Sequence, residues 1–174
     1  MPFIDRTILD FLLYDWLDAA ALTKLPRFSE HSRETFDAVL DLSARVADDY
    51  FAPHAKKSDR NEPVFDSETV HVLPDIKAAL QAYSEAGLFA ATFDEALGGA
   101  QIPALIHTAS TALTMAANIA TAAYPMLTVA SAPGACRQGA SQRFCIPVRP
   151  RPCGRGVALA RSGAGSGRRL GHHA

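Results

Sequence analysis

Cysteine is scarce in this 174-residue chain, and its three copies, Cys136, Cys145 and Cys153, all fall within the last 41 residues. So few, odd in number and late in the chain, they exclude a secreted disulfide framework. The start, MPFIDRTILDFLLYDWLDAA, lacks a basic stretch ahead of its apolar part and carries Asp5, Asp10, Asp15 and Asp18 through it, which excludes a signal peptide. A cytoplasmic location is the expectation. Acid is also missing from half of the sequence: no Asp or Glu follows Glu95, and no charge of either sign lies between Glu95 and Arg137. An uncharged run of that length raises a membrane span, which takes about 20 apolar residues. His107, Thr108, Ser110, Thr111, Thr114, Asn118 and Thr121 interrupt it. The expectation is therefore no membrane contact and a buried Ala/Thr-rich helix pair, packed on several sides.

What is present divides into two compositions. Residues 1–133 hold 9 Lys plus Arg against all 18 Asp plus Glu, whereas residues 134–174 hold 8 Arg, no acid, no Lys, 8 of the 11 glycines and one aromatic, Phe144. The second segment has too little apolar side chain to offset the entropy of ordering it, which predicts an unstructured tail over 134–174. The first, in a chain that is 48% apolar, suffices for one domain core.

That first part predicts an all-α helical bundle over residues 4–131. With Asp5 as N-cap, residues 7–22 place Ile8, Phe11, Leu12, Trp16 and Ala20 at helical spacing. Ser32 caps a second helix, with Glu34 in its first turn and Phe36, Val39, Leu40, Ala47, Tyr50 and Phe51 as its stripe, ending before Pro53. The following segment, HAKKSDRNEPVFDSETVHV, is polar and turn-rich. Pro74 opens a third helix with the face Ile76, Ala79, Leu80 and Tyr83 and with Gly87 just past its end. Pro103 opens a fourth, with Leu105, Ile106, Ala109, Leu113 and Ala116 on one side. NIATAAYPMLTVASA follows as a shorter helix or pair of turns around Pro125.

In this order, YDWLDAAAL, FDAVLDLSARVADDYFAPHAKKSDRNEPVFD, VLPDIKAALQAYSEAGLFAATFDEALGGAQIP and AANIATAAYPMLT resemble the N-terminal helical domain of bacterial acyl-CoA dehydrogenases. Within them they are similar to the branch that includes 3-methylmercaptopropionyl-CoA dehydrogenase. The resemblance covers residues 4–131, about three quarters of the chain, and EAGLFAATFDEALGGAQIP carries it most specifically. It implies an FAD-dependent oxidoreductase of fatty acid metabolism, in which a carboxylate takes the α-proton of an acyl-CoA while the β-hydride passes to the flavin. It also implies that Tyr124 and Met126, beside Pro125, line the acyl pocket between domains; the other reading of this pair is ordinary core or interface.

The family takes its base from a C-terminal helical domain and most flavin contacts from a middle β-domain around Thr/Ser-Glu-Pro and Ala-Gly-Ser. No such motif, and no acid, follows the helical part of this sequence. No catalytic, cofactor-binding or metal-ligating residue is therefore assigned, and FAD is not expected on this chain alone. Past YPMLT the sequence turns at SAPGACRQGASQRF into an Arg/Gly/Pro/Ala mixture resembling a GC-rich gene read in the wrong frame. The expectation is a truncated fragment with an unrelated Arg-rich tail, inactive by itself. The alternative is a non-enzymatic helical interaction module whose basic arm binds an acidic partner or nucleic acid.

Isolated features point to little chemistry. The cysteines are spaced nine and eight apart, unlike the close pairs of a zinc site, and read as free thiols; His172 and His173 read as a solvated ending. His54 is placed on a solvated loop and His107 in a packed core. Gly98 and Gly99 lack the Lys and spacing of a phosphate loop and read as turn residues. Eight arginines favour nucleic acid by charge, but one aromatic and no recognisable module disfavour it. Without covering domains, self-association is expected through Leu105, Ile106, Leu113, Ile119, Tyr124 and Met126, and Leu113→Glu is expected to improve solubility if that position faces outward.

Overall fold

The computed structural model describes residues 4–137, with side chains through Ser131. The described part is mostly helical, with one two-stranded hairpin, and its main elements run in the order α1 (Arg6–Asp10), α2 (Arg33–Val46), α3 (Ala55–Arg60), β1 (Val64–Phe65), β2 (Val70–His71), α4 (Pro74–Glu85), α5 (Ala104–Ala117) and α6 (Ile119–Arg137). An all-α class is what the polar and apolar spacing predicted. The Arg-rich segment, including Cys145, Cys153, His172 and His173, lies outside the described residues from position 138 on. Helix α6 runs four residues past the point where the tail was expected to begin.

Helix α2 starts where its sequence says it should. The Ser32 hydroxyl accepts from the Thr35 backbone N–H, and Thr35 Oγ1 accepts from the Ser32 backbone N–H, so two donors of the first turn are satisfied reciprocally. The helix continues through a π-helical turn at Ala47–Phe51. Phe36, Leu40, Ala47 and Phe51 are buried as expected, whereas Tyr50 is exposed, because the wider turn rotates it off the stripe. Helix α4 runs from Pro74 and is followed by Gly87 at φ 74°, a left-handed closing position that glycine adopts without a Cβ penalty. Ile76, Ala79 and Tyr83 are buried, and burial pushes the Tyr83 hydroxyl up to about 12.

The N-terminal segment departs from its expected phase. Instead of one helix over residues 7–22, α1 passes into π-helical turns at Phe11–Trp16 and breaks at Asp18, whose φ is 45°. Leu9, Leu13 and Ala19 enter the core, while Ile8, Phe11, Trp16 and Ala20 face solvent. The cause lies on the neighbouring flank, where Arg6 pairs with Asp10, Asp37 and Asp41 and the Tyr14 hydroxyl donates to Asp37 at 2.8 Å. These contacts to α2 fix the rotation of α1. Burial and the Asp37 bond push the Tyr14 hydroxyl upward.

One core cluster joins Leu9 and Leu13 to Phe36, Leu40, Ile102, Ile106 and Ala109. A second joins Val46, Ala47 and Phe51 to Ala79, Tyr83, Leu88, Ala117 and Ala122. Helix α5 lies between α2 and α6. Between α2 and α5 the Ser43 hydroxyl donates to Val39 O, so Ser110 Oγ, 2.6 Å away, donates to Ser43. The connector into α5 turns at Gly98, with φ 79°, and at Gly99, where an added Cβ would stand 2.1 Å from the Phe93 carbonyl oxygen. Both glycines are turn residues.

Candidate functional site

The uncharged run forms α5, a joint at Asn118, and α6. Asn118 leaves the helical conformation, with φ −162° and ψ 95°, and its side chain then works in two directions. Its Oδ1 accepts from the Thr121 backbone N–H at 3.2 Å, capping α6, and its Nδ2 donates to Phe51 O at 3.1 Å. His54 closes the joint from the other side, its Nε2 lying 2.8 Å from Thr121 Oγ1. With 3% of its surface exposed, His54 is a buried anchor, not the solvated loop residue expected. The reason is local: the short 3-10 turn Ala52–His54 after Phe51 folds the ring inward. Sequence reasoning missed this cluster, and its one signal was an Asn between two uncharged stretches with Thr three positions on, a cap spacing.

Helix α6 is longer than the shorter helix or pair of turns expected, because a buried Pro125 is held by packing and does not end it. The expectation of packing on several sides fails here. Thr121, Ala122 and Pro125 face α3, α4 and α5, while Ile119 and Leu127 point away, Leu127 with 64% of its surface exposed. Tyr124 and Met126, the acyl-pocket candidates, are 40% and 38% exposed. Two positions apart on a helix, they look to nearly opposite sides, one on each border of the buried stripe. The structure does not bring them together.

Other expected contact residues also move. Ile106 is fully buried, and Leu105 and Leu113 pack partly buried against the first core cluster, because α5 presents that side to α2. Ile106 is thereby removed from the expected self-association surface, Leu105 and Leu113 keep only part of theirs, and Leu113→Glu would place a charge against the core. Ala116, expected on the inner face, is exposed and Ala117 takes its place. His107 is half-buried, as a packed residue would be; desolvation pushes its ring downward, and its Nδ1 is the one buried side-chain polar atom without a partner among the described residues.

Among the described residues no group of three or more His, Cys, Asp or Glu side chains is placed to hold a metal ion, and no helix is long and apolar enough to cross a membrane. Against known proteins, no family model matches the chain and no curated protein matches it at a significant level.

Proposed function

We propose that residues 4–131 are the helical domain of an FAD-dependent acyl-CoA dehydrogenase-type protein, and that in this chain the domain is a docking scaffold, not a catalyst. The observation behind the reading is the outward side of α6, where Ile119 and Leu127 stand uncovered beside Tyr124 and Met126, within the stretch that resembles the family's interdomain segment. A second domain laid on that side would cover it. The acyl-CoA thioester that the resemblance implies would be the substrate of the complete enzyme, not of this chain alone.

A diphosphate and a flavin ring require several convergent donors. The described residues offer one unpartnered buried polar atom, His107 Nδ1, and their other buried side-chain polar atoms are satisfied. They do not fit FAD, and no chemical step is assigned to it. The absence of any acid after Glu95 removes a base from that part of the sequence as well.

Two measurements separate the halves of this proposal. Desalted protein is expected to show no flavin absorbance and no acyl-CoA-dependent reduction of an electron acceptor; a flavin band that persists would overturn the scaffold reading. Translating the gene in its other two frames downstream of residue 131 is expected to give a β-domain with the Thr/Ser-Glu-Pro motif. Frames without one would overturn the family reading.

A further inference from the structure

The first helical segment presents an apolar face that the described residues leave uncovered. Ile8, Phe11 and Trp16 share that face, opposite Leu9 and Leu13, and Trp16 keeps 72% of its surface exposed. Asp15 and Asp18 flank Trp16 in sequence. Both are exposed, and neither has an ion-pair partner among the described residues, whereas Asp10 on the other flank is taken by Arg6. An exposed aromatic face with unpaired carboxylates next to its Trp in sequence suits an arginine-rich, proline-rich segment, because guanidinium groups stack on Trp and pair with carboxylates while proline lies flat on aromatic rings.

The same chain contains such a sequence. In RFCIPVRPRPCGR, residues 143–155, Arg143, Arg149, Arg151 and Arg155 alternate with Pro147, Pro150 and Pro152, and no acid interrupts them. We infer that this segment docks in cis on the Ile8, Phe11 and Trp16 face, with its arginines on Asp15 and Asp18. The reach suffices: the 12 residues from Arg137 to Arg149 span up to about 40 Å extended, against a radius of gyration of about 14 Å for a domain of this size. Tethering sets the local concentration near the millimolar range, so a weak contact is still occupied. A second copy on this face would bring two sets of unpaired carboxylates together, and an anionic vesicle would be repelled by them. The inference does not rest on the acyl-CoA dehydrogenase reading.

Trp16 is the chain's single tryptophan, so its fluorescence reports this face alone. The test is acrylamide quenching of the full chain and of an Arg149→Glu, Arg151→Glu variant, at low salt and at about 1 M salt, where screening shortens the reach of charges to about 3 Å. At low salt the native quenching slope is expected to be about twofold below that of the variant, and the difference is expected to vanish at high salt. Asp15→Asn, Asp18→Asn is expected to raise the native slope to the variant's. Equal slopes at low salt, or no response to the Asp changes, would overturn the inference. Protection that grows with protein concentration would also overturn it, since another copy would then be the occupant.

Discussion

Helices α5 and α6 are alike in composition and opposite in situation. Both are free of acid, rich in Ala and Thr, and joined at Asn118, yet among the described residues α5 is packed between α2 and α6 while α6 is packed on one side only. The difference comes from what each meets. Along α5, Ile106 and Ala109 enter the first core cluster and Ser110 bonds to Ser43, so apolar and polar positions both find partners inside the domain. Along α6, Thr121 and Ala122 are used in the same way, but Ile119 and Leu127 have nothing opposite them among the described residues. Lack of charge marks a helix that tolerates burial; burial itself depends on a partner surface.

Truncation tests that contrast at its strongest point. Ile106→Ala removes a fully buried side chain of α5, and the loss is expected to be about 2–5 kcal/mol, read from the denaturant midpoint. At the joint, Asn118→Ala removes the cap of α6 and the donor to Phe51 O, with an expected loss of about 1–3 kcal/mol in the same measurement. A loss at Asn118 as small as that of a surface change would mean that the joint does not anchor α6.

Acid probes α5 from within. Desolvation holds the His107 ring below its ordinary value of 6.5, so the unfolded chain binds the proton more readily than the folded one. The stabilisation is complete above pH 6.5 and is lost as pH falls through the lowered folded value. Midpoints should therefore drop between neutral pH and mild acid, and His107→Gln should flatten that part of the profile. The smallest effect is expected on the open side of α6, where Leu127→Ala should change stability by no more than about 0.5 kcal/mol. A core-sized loss at Leu127 would erase the distinction between the two helices.

How much of this was legible in sequence depends on the range of the interaction responsible. Helices α2 and α4 were legible because Ser32, Pro74 and Gly87 act within a turn of themselves. The rotation of α1 was not, because Arg6 and Tyr14 set it through Asp37 and Asp41, more than twenty residues away. His54 was misplaced for the same reason: its partner Thr121 lies 67 positions on, and a polar neighbourhood in sequence says nothing of that contact. Tyr124 and Met126 were singled out by the family resemblance alone, and the fold sets them on opposite borders of the buried stripe of α6. The open side of α6 was half visible, as Ile119 without the stronger Leu127, because only the fold shows which residues have no neighbour.

The most direct test of an uncovered interface on α6 is size-exclusion chromatography with light scattering across a concentration series, with binding of a hydrophobic dye, on the full chain and on Leu127→Glu. Exposed apolar patches associate. The native chain is expected to grow in mass with concentration and to bind dye, and Leu127→Glu to reduce both while keeping the native denaturant midpoint. A native chain that stays a monodisperse monomer and binds no dye would contradict the account.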